Sequence, residues 1–263
     1  MSAWILLRGL TRESRHWADL PGRLRASGLE GEIVTADLPG SGRHAHARAP
    51  WTIGATTDFV RRAIRSQGYA PPFRVVALSL GAMVAVDWAQ RFPGEIEGMV
   101  LINTSMGRHC GPMRRLRPGA WPAIVRALWF WRARRRAEAA IHGLTCTRID
   151  SRETDLDQWT AIYASAPPSR TNALRQLLAA ARYRGPAAAP RCPVLVIASR
   201  ADALVHPACS AQLAAAWSAA SIEHPWAGHD LPHDDPAWLA GTIAAWAGRV
   251  WAVMTVATSR SGA

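Results

Sequence analysis

The chain has 263 residues, enough to bury one large core. Its residues are 49% hydrophobic and 19% charged, which excludes a highly charged disordered chain. The net charge of +12 is carried by Arg alone, and most of it falls between Glu97 and Glu138, where nine Arg and no carboxylate occur.

Residues 3–7 form a short apolar run ending at Arg8-Gly9-Leu10. That run is too short for the apolar segment of a secretory signal and has no basic residues before it, so the chain reads as a cytoplasmic protein. The other apolar runs, including residues 250–257, fall short of the roughly 18–20 residues that cross a bilayer, which predicts a soluble protein without a transmembrane segment. Further short apolar runs at 32–36, 74–78, 99–102 and 194–199 alternate with helical spacing at 51–67, 80–91, 207–217 and 236–249. Strands alternating with helices predict an α/β fold with a mainly parallel sheet of about six strands and helices on both faces. A short candidate strand near Ile222 completes the set.

The alternation stops after Asn103. Residues 106–188 carry Pro, Arg and Trp in helical patterns with no convincing strand, so they read as a helical cap inserted into a core of residues 1–105 and 189–263. Trp121, Ile124, Val125, Leu128, Trp129 and Trp131 recur at helical spacing and are expected to pack as a lid and pocket wall. The Arg cluster beside them is expected to be a solvated face, with a dock for an acidic acyl-carrier protein as the sharper alternative. Nothing resembles a nucleic-acid reading helix or aromatic platform, so no nucleic-acid partner is expected. Cys110, Cys146, Cys192 and Cys209 are widely spaced and form no C-x-x-C pair, which predicts free structural thiols.

The chemistry is carried by Ala77-Leu78-Ser79-Leu80-Gly81, lying between a strand and a helix. A nucleophilic Ser on such a turn needs small neighbours two positions away, so that Oγ stands clear above the sheet. A Ser nucleophile also needs a base, and the base an orienter, in the order Ser, Asp, His. Asp202, just past the strand at 194–199, and His229, in Ala227-Gly228-His229-Asp230, fall in that order. Two backbone amides must face the developing oxyanion; Leu80, after the nucleophile, and Leu10, in the loop after the first strand, are the candidates. His233 is the runner-up base, and Asp230, Asp234 and Asp235 are read as surface-loop or helix-capping carboxylates. No H-x-H or H-E-x-x-H spacing occurs, and the triad requires neither metal nor cofactor.

With these pieces in place the chain resembles the α/β-hydrolase superfamily, in its compact capped carboxylesterases such as pimeloyl-acyl-carrier-protein methyl ester esterases. The resemblance rests on Arg8-Gly9-Leu10 with Trp17, Asp37-Leu38-Pro39-Gly40-Ser41-Gly42, the turn at Ser79, Asp202-Ala203-Leu204-Val205, and Gly228-His229 with Pro236 beyond. It implies a serine hydrolase acting on a small-molecule ester through Ser79, His229 and Asp202, with Leu10 and Leu80 as oxyanion amides. Thioesterase, perhydrolase, lactonase, lyase and C–C hydrolase chemistries share this triad, and a non-catalytic binding protein would keep the pocket alone. Arg8 stands where the family often has His; it is expected either to bind an anionic substrate group or to pair with a carboxylate such as Asp37. Ala77 and Ala82 stand where the family often has Gly, and two edge strands of larger members have no counterpart.

Overall fold

A computed structural model of the chain describes residues 2–260, with side chains to residue 252. The side chains of most of the apolar run 250–257 therefore lie outside the described residues. Strand β1 (Ala3–Leu7) leads through α1 (Leu20–Ala26) to β2 (Ile33–Ala36), and α2 (Ile53–Ser66) leads to β3 (Phe73–Leu78). Helix α3 (Leu80–Arg91) precedes β4 (Ile96–Ile102). Five helices follow before the next strand: α4 (Pro112–Arg115), α5 (Trp121–Trp129), α6 (Arg134–Thr145), α7 (Arg152–Ser165) and α8 (Arg170–Arg182). The chain then continues through β5 (Val194–Ser199), α9 (Ala208–Trp217), β6 (Ala220–His224), α10 (Leu231–Asp234) and α11 (Pro236–Arg260).

The six strands form one sheet in the order β2-β1-β3-β4-β5-β6, and every neighbouring pair is parallel. Side chains alternate across a strand, and the central strands are buried on both sides, which is why they are continuous apolar runs. On one face Ile5, Leu7, Val75, Ala77, Met99 and Leu101 pack against α2, α3 and α9. On the other, Trp4, Leu6, Val76, Leu78, Val100 and Ile102 pack against Leu20 and Leu24 of α1 and Leu239, Ile243 and Trp246 of α11. Both sides of the sheet are thus closed by helices, and its carboxyl edge is left to the loops.

Helix α1 begins Leu20-Pro21-Gly22, where Pro costs nothing because its missing N–H has no intrahelical partner in a first turn anyway. Two local features depart from expectation. Helix α11 runs on past residue 249 to Arg260, because neither Gly241 nor Gly248 breaks it. Cys110 and Cys209 are not free thiols: they form a disulfide that joins the start of the helical insertion to α9, with Val205 packed beside it. Cys146 and Cys192 remain free. Widely spaced cysteines reveal nothing of this pairing, because only the fold brings the turn at Cys110 to the start of α9 across 99 residues.

The Trp stripe also differs from its reading. Trp121, Val125 and Trp129, four residues apart along α5, point to solvent, and Trp129 is 79% exposed. Among the same residues Ile124, Leu128 and Trp131 are half-buried, so α5 packs through its other side. The Arg cluster is not simply a solvated face. Arg134 pairs with buried Glu138, Arg135 with Glu153 and Asp157, while Arg115 donates to the carbonyls of Ala180 and Ala181. Arg117 donates to the carbonyl of Asp202 at 2.6 Å. Among the described residues no helix is long and apolar enough to cross a membrane.

Candidate active site

Ser79 sits between β3 and α3 with φ 55° and ψ −113°. A positive φ is unfavourable for a residue with a Cβ, and it persists here because the surrounding structure holds it. The Ser79 amide donates to the carbonyl of Ile102 at 2.9 Å, and the Thr104 hydroxyl donates to the Ser79 carbonyl at 3.0 Å. Gly81 lets α3 lie against the end of β1: a Cβ there would collide with the Leu7 carbonyl oxygen. Ala77 and Ala82 are fully buried, so a methyl group fits where relatives often have none. Ser79 itself is only partly buried, leaving Oγ reachable.

Gly9 lies directly beside the turn, a Cβ built on it standing 3.9 Å from Ser79 Oγ. The oxyanion candidates flank the same point. Among the described residues neither the Leu10 nor the Leu80 amide donates a hydrogen bond, so both N–H groups are left free. Thr11 follows with φ 57°, and its amide donates to Gln176 Oε1 of α8 at 2.9 Å. Gln176 in turn donates to the Pro39 carbonyl at 3.0 Å, so α8 clips the first loop to the loop after β2.

Asp202 and His229 meet on the other side of the sheet edge. His229 Nδ1 lies 2.7 Å from Asp202 Oδ2, and both residues are buried. The second carboxylate oxygen accepts from the Leu204 and Val205 amides, each at 2.8 Å. A carboxylate held by two amides and an imidazole keeps a fixed direction. With Nδ1 turned to Asp202, Nε2 is the ring nitrogen left for a second partner. The His229 loop is held from below by Asn103, at the end of β4, whose amide donates to the carbonyls of Gly228 at 3.2 Å and His229 at 2.9 Å. Since Ile102 holds the Ser79 amide and Asn103 the His229 carbonyl, adjacent residues of one strand end carry both loops.

The carboxylates next to His229 are interior groups, contrary to the surface or capping role expected of them. Asp230 makes a two-pronged ion pair with Arg8, at 3.0 and 2.7 Å. Arg8 is 1% exposed and stacks on Trp17 at 4.9 Å. It is therefore a buried structural cation rather than a free anion receptor, and its partner is not Asp37, which accepts from Ser14 and the Arg43 amide. Burial pushes the Asp230 carboxyl up, but the Arg8 charge and hydrogen bonds outweigh it and hold the group below the usual carboxylate range. Asp234 accepts from the amides of Gly228, Thr147 and Arg148, fastening the His229 loop to the chain after α6. Only Asp235 caps as expected, accepting from the Trp238 amide at 3.0 Å. His233 is turned away from this arrangement toward Asp155.

Residues 4–242 match the model of the Alpha/beta hydrolase family. The chain belongs to this family. Among relatives of this alpha/beta hydrolase is RutD of Klebsiella pneumoniae (strain 342), provisionally named a carbamate hydrolase, 26% identical over 86% of this chain and 83% of RutD. Similar solved structures include the enol-lactonase of Burkholderia xenovorans LB400, with TM-score 0.73 and 21% identity over 92% of this chain and 89% of that one. A thermophilic esterase of Thermogutta terrifontis aligns with TM-score 0.71 and 21% identity over 95% of this chain and 90% of that one. These two structures share the hydrolase fold, a parallel sheet that presents its loops at one edge.

Several supporting residues of the hydrolase site escaped the sequence reading. Asn103, Gln176, Arg8 with Asp230, and Asp234 all act through partners far away in the chain. The one local signal was the acidic run after His229, Asp230 to Asp235, too dense to be explained by a single helix cap.

Proposed function

We propose that this alpha/beta hydrolase cleaves carboxylic esters through an acyl-enzyme formed on Ser79. The observation that carries the reading is the His229 Nδ1 to Asp202 Oδ2 contact of 2.7 Å, and a Ser held at positive φ on a strand-to-helix turn accompanies it. Ser79 Oγ attacks the ester carbonyl as His229 Nε2 takes its proton. The charge forming on the carbonyl oxygen falls between the free amides of Leu10 and Leu80, donors already in place before reaction. His229 returns the proton to the departing alcohol, leaving an acyl-Ser79. Water then enters, loses a proton to the same nitrogen and releases the acid. Asp202 holds the imidazole ring in place through Nδ1.

The relative named for carbamate hydrolysis favours a second reading, since a carbamate carbonyl would meet the same nucleophile and the same two amides. Hydrolysis of p-nitrophenyl esters from acetate to palmitate, alongside a p-nitrophenyl carbamate, by the intact protein and by Ser79→Ala tests both. Ester turnover that disappears in Ser79→Ala supports the proposal, and the preferred chain length sizes the pocket. Turnover of the carbamate alone would favour the second reading, and no reaction of Ser79 with either substrate or with a fluorophosphonate would overturn both.

A further inference from the structure

Beneath the His229 loop, away from Ser79, the fold gathers a second group of reactive side chains. His142 lies in the last turn of α6 and Cys146 immediately follows that helix, four residues on and so on the same side. Helix α7 brings Asp155 to them, and α10, which follows His229, brings His233. One ligand atom from each of His142, Cys146 and His233 lies within 4.8 Å of the others. Asp155 Oδ2 lies 3.2 Å from His142 Nε2 and 2.8 Å from His233 Nε2, and also accepts from the Ser151 hydroxyl at 2.8 Å.

These groups are dry and incompletely satisfied. His142 is 1% exposed, Cys146 9%, and the His233 side chain 9%. His233 Nε2, although close to Asp155, meets it at an angle that makes no hydrogen bond, and it has no other partner among the described residues. Trp159 walls the cluster, its ring centroid 5.4 Å from His142 and 5.3 Å from His233. Nothing in the proposed hydrolysis uses these side chains, since Arg8 occupies Asp230 and three backbone amides occupy Asp234. Two imidazoles and a thiol converging in the buried interior are poor core packing, but they are the donor set of a borderline-soft cation.

We propose that His142, Cys146 and His233 form a binding site for zinc or a chemically similar divalent transition metal, with the Asp155 carboxylate beside both imidazoles as a counter-charge. Two nitrogen donors and one sulfur suit a tetrahedral zinc-like ion, whereas magnesium and calcium take oxygen ligands. Metal bonds of about 2.0–2.3 Å place tetrahedral ligands roughly 3.3–3.8 Å apart, so the cluster reaches the right size by small side-chain movements. Binding releases the Cys146 proton to water, and the two positive charges of the ion are then balanced by the thiolate and Asp155. The ion would join the end of α6 to α10, and thus the helical insertion to the turn after His229.

Cobalt(II) chloride added to the metal-free full chain, with its Cys110–Cys209 bond intact, tests the site spectroscopically. The expected result is saturation at one equivalent, with visible bands of tetrahedral cobalt and a near-ultraviolet thiolate-to-cobalt band, all displaced by zinc chloride. Cys146→Ser should lose the thiolate band, His233→Gln should lose saturable binding, and Asp155→Asn should weaken it about 10–100-fold. Cys192→Ser should leave the spectrum unchanged. Absence of the one-equivalent spectrum from the intact chain, a measurement that needs no variant to fold, would overturn the proposal. So would a spectrum that persists in both Cys146→Ser and His233→Gln, because the cation would then sit on other residues.

Discussion

Arg8 Nη2 and Asp230 Oδ2 lie 2.7 Å apart, joining the residue before the first loop to the residue after His229 across 222 positions of chain. The two loops that would hold the oxyanion and the base are therefore cross-braced under the site by one buried ion pair. Breaking such a pair from one side leaves an uncompensated charge in the interior, which costs about 3–5 kcal/mol. Arg8→Met should lower stability by that order, measured by urea unfolding at pH 7. The loss should shrink as the pH falls. In the native chain Asp230 titrates below its unfolded range of about 3.9, so its contribution is present above that range and is lost as pH falls through the lower folded value. In the variant the unpaired, buried carboxyl has its pKa raised, so it protonates early and stops opposing folding. A difference between the two proteins that stays constant from pH 7 to pH 3 would contradict this account.

Asp202 supplies direction as well as charge. Asp202→Asn preserves the shape and can still accept from the Leu204 and Val205 amides, but its amide nitrogen would favour the wrong imidazole tautomer at His229. In serine protease triads the same exchange lowers kcat by about 10⁴. A fall of that order with little change in KM or in thermal unfolding is expected here, measured on the best p-nitrophenyl ester.

Gly81 is required by the approach of α3 to β1, and the obstacle is backbone rather than a movable side chain. Gly81→Ala should destabilise by about 1–3 kcal/mol or more and displace Ser79, because the helix must retreat from the Leu7 carbonyl. Thermal unfolding and burst labelling by a fluorophosphonate would register both effects. Full labelling at unchanged stability would show that the close contact relaxes freely.

Thiol counting checks the Cys110–Cys209 bond directly. The unreduced protein, unfolded in guanidinium, should yield two reactive thiols, from Cys146 and Cys192, and four after reduction. Closing a loop over a separation of 99 residues also constrains the unfolded chain, so reduction should lower stability by about 2–4 kcal/mol. Four thiols without reductant would mean that the bond does not form.

Much of the architecture is written locally. The strands at 3–7 and 194–199 coincide with the apolar runs, because a strand buried on both faces admits little else. The turn at Ser79 is announced by its small neighbours, and the position of Asp202 follows from its place just beyond a parallel strand. The contact between Asp202 and His229 could be expected from their order, since the fold returns both to one sheet edge.

Pairing over long distances was not legible in this way. Arg8 had several carboxylates to choose from, and Asp230 rather than Asp37 became its partner only because the first loop and the His229 loop meet under the site. The same holds for Asn103 beneath His229, for the disulfide, and for His142, Cys146 and His233, which come from α6, its end and α10. Whether Trp121 and Trp129 face the interior depends equally on which side of α5 meets its neighbours. Spacing along a chain specifies turns and faces, which are short-range consequences of backbone geometry. Which buried charge meets which, and which apolar face stays uncovered, is settled by packing between elements distant in sequence, where no local pattern carries the information.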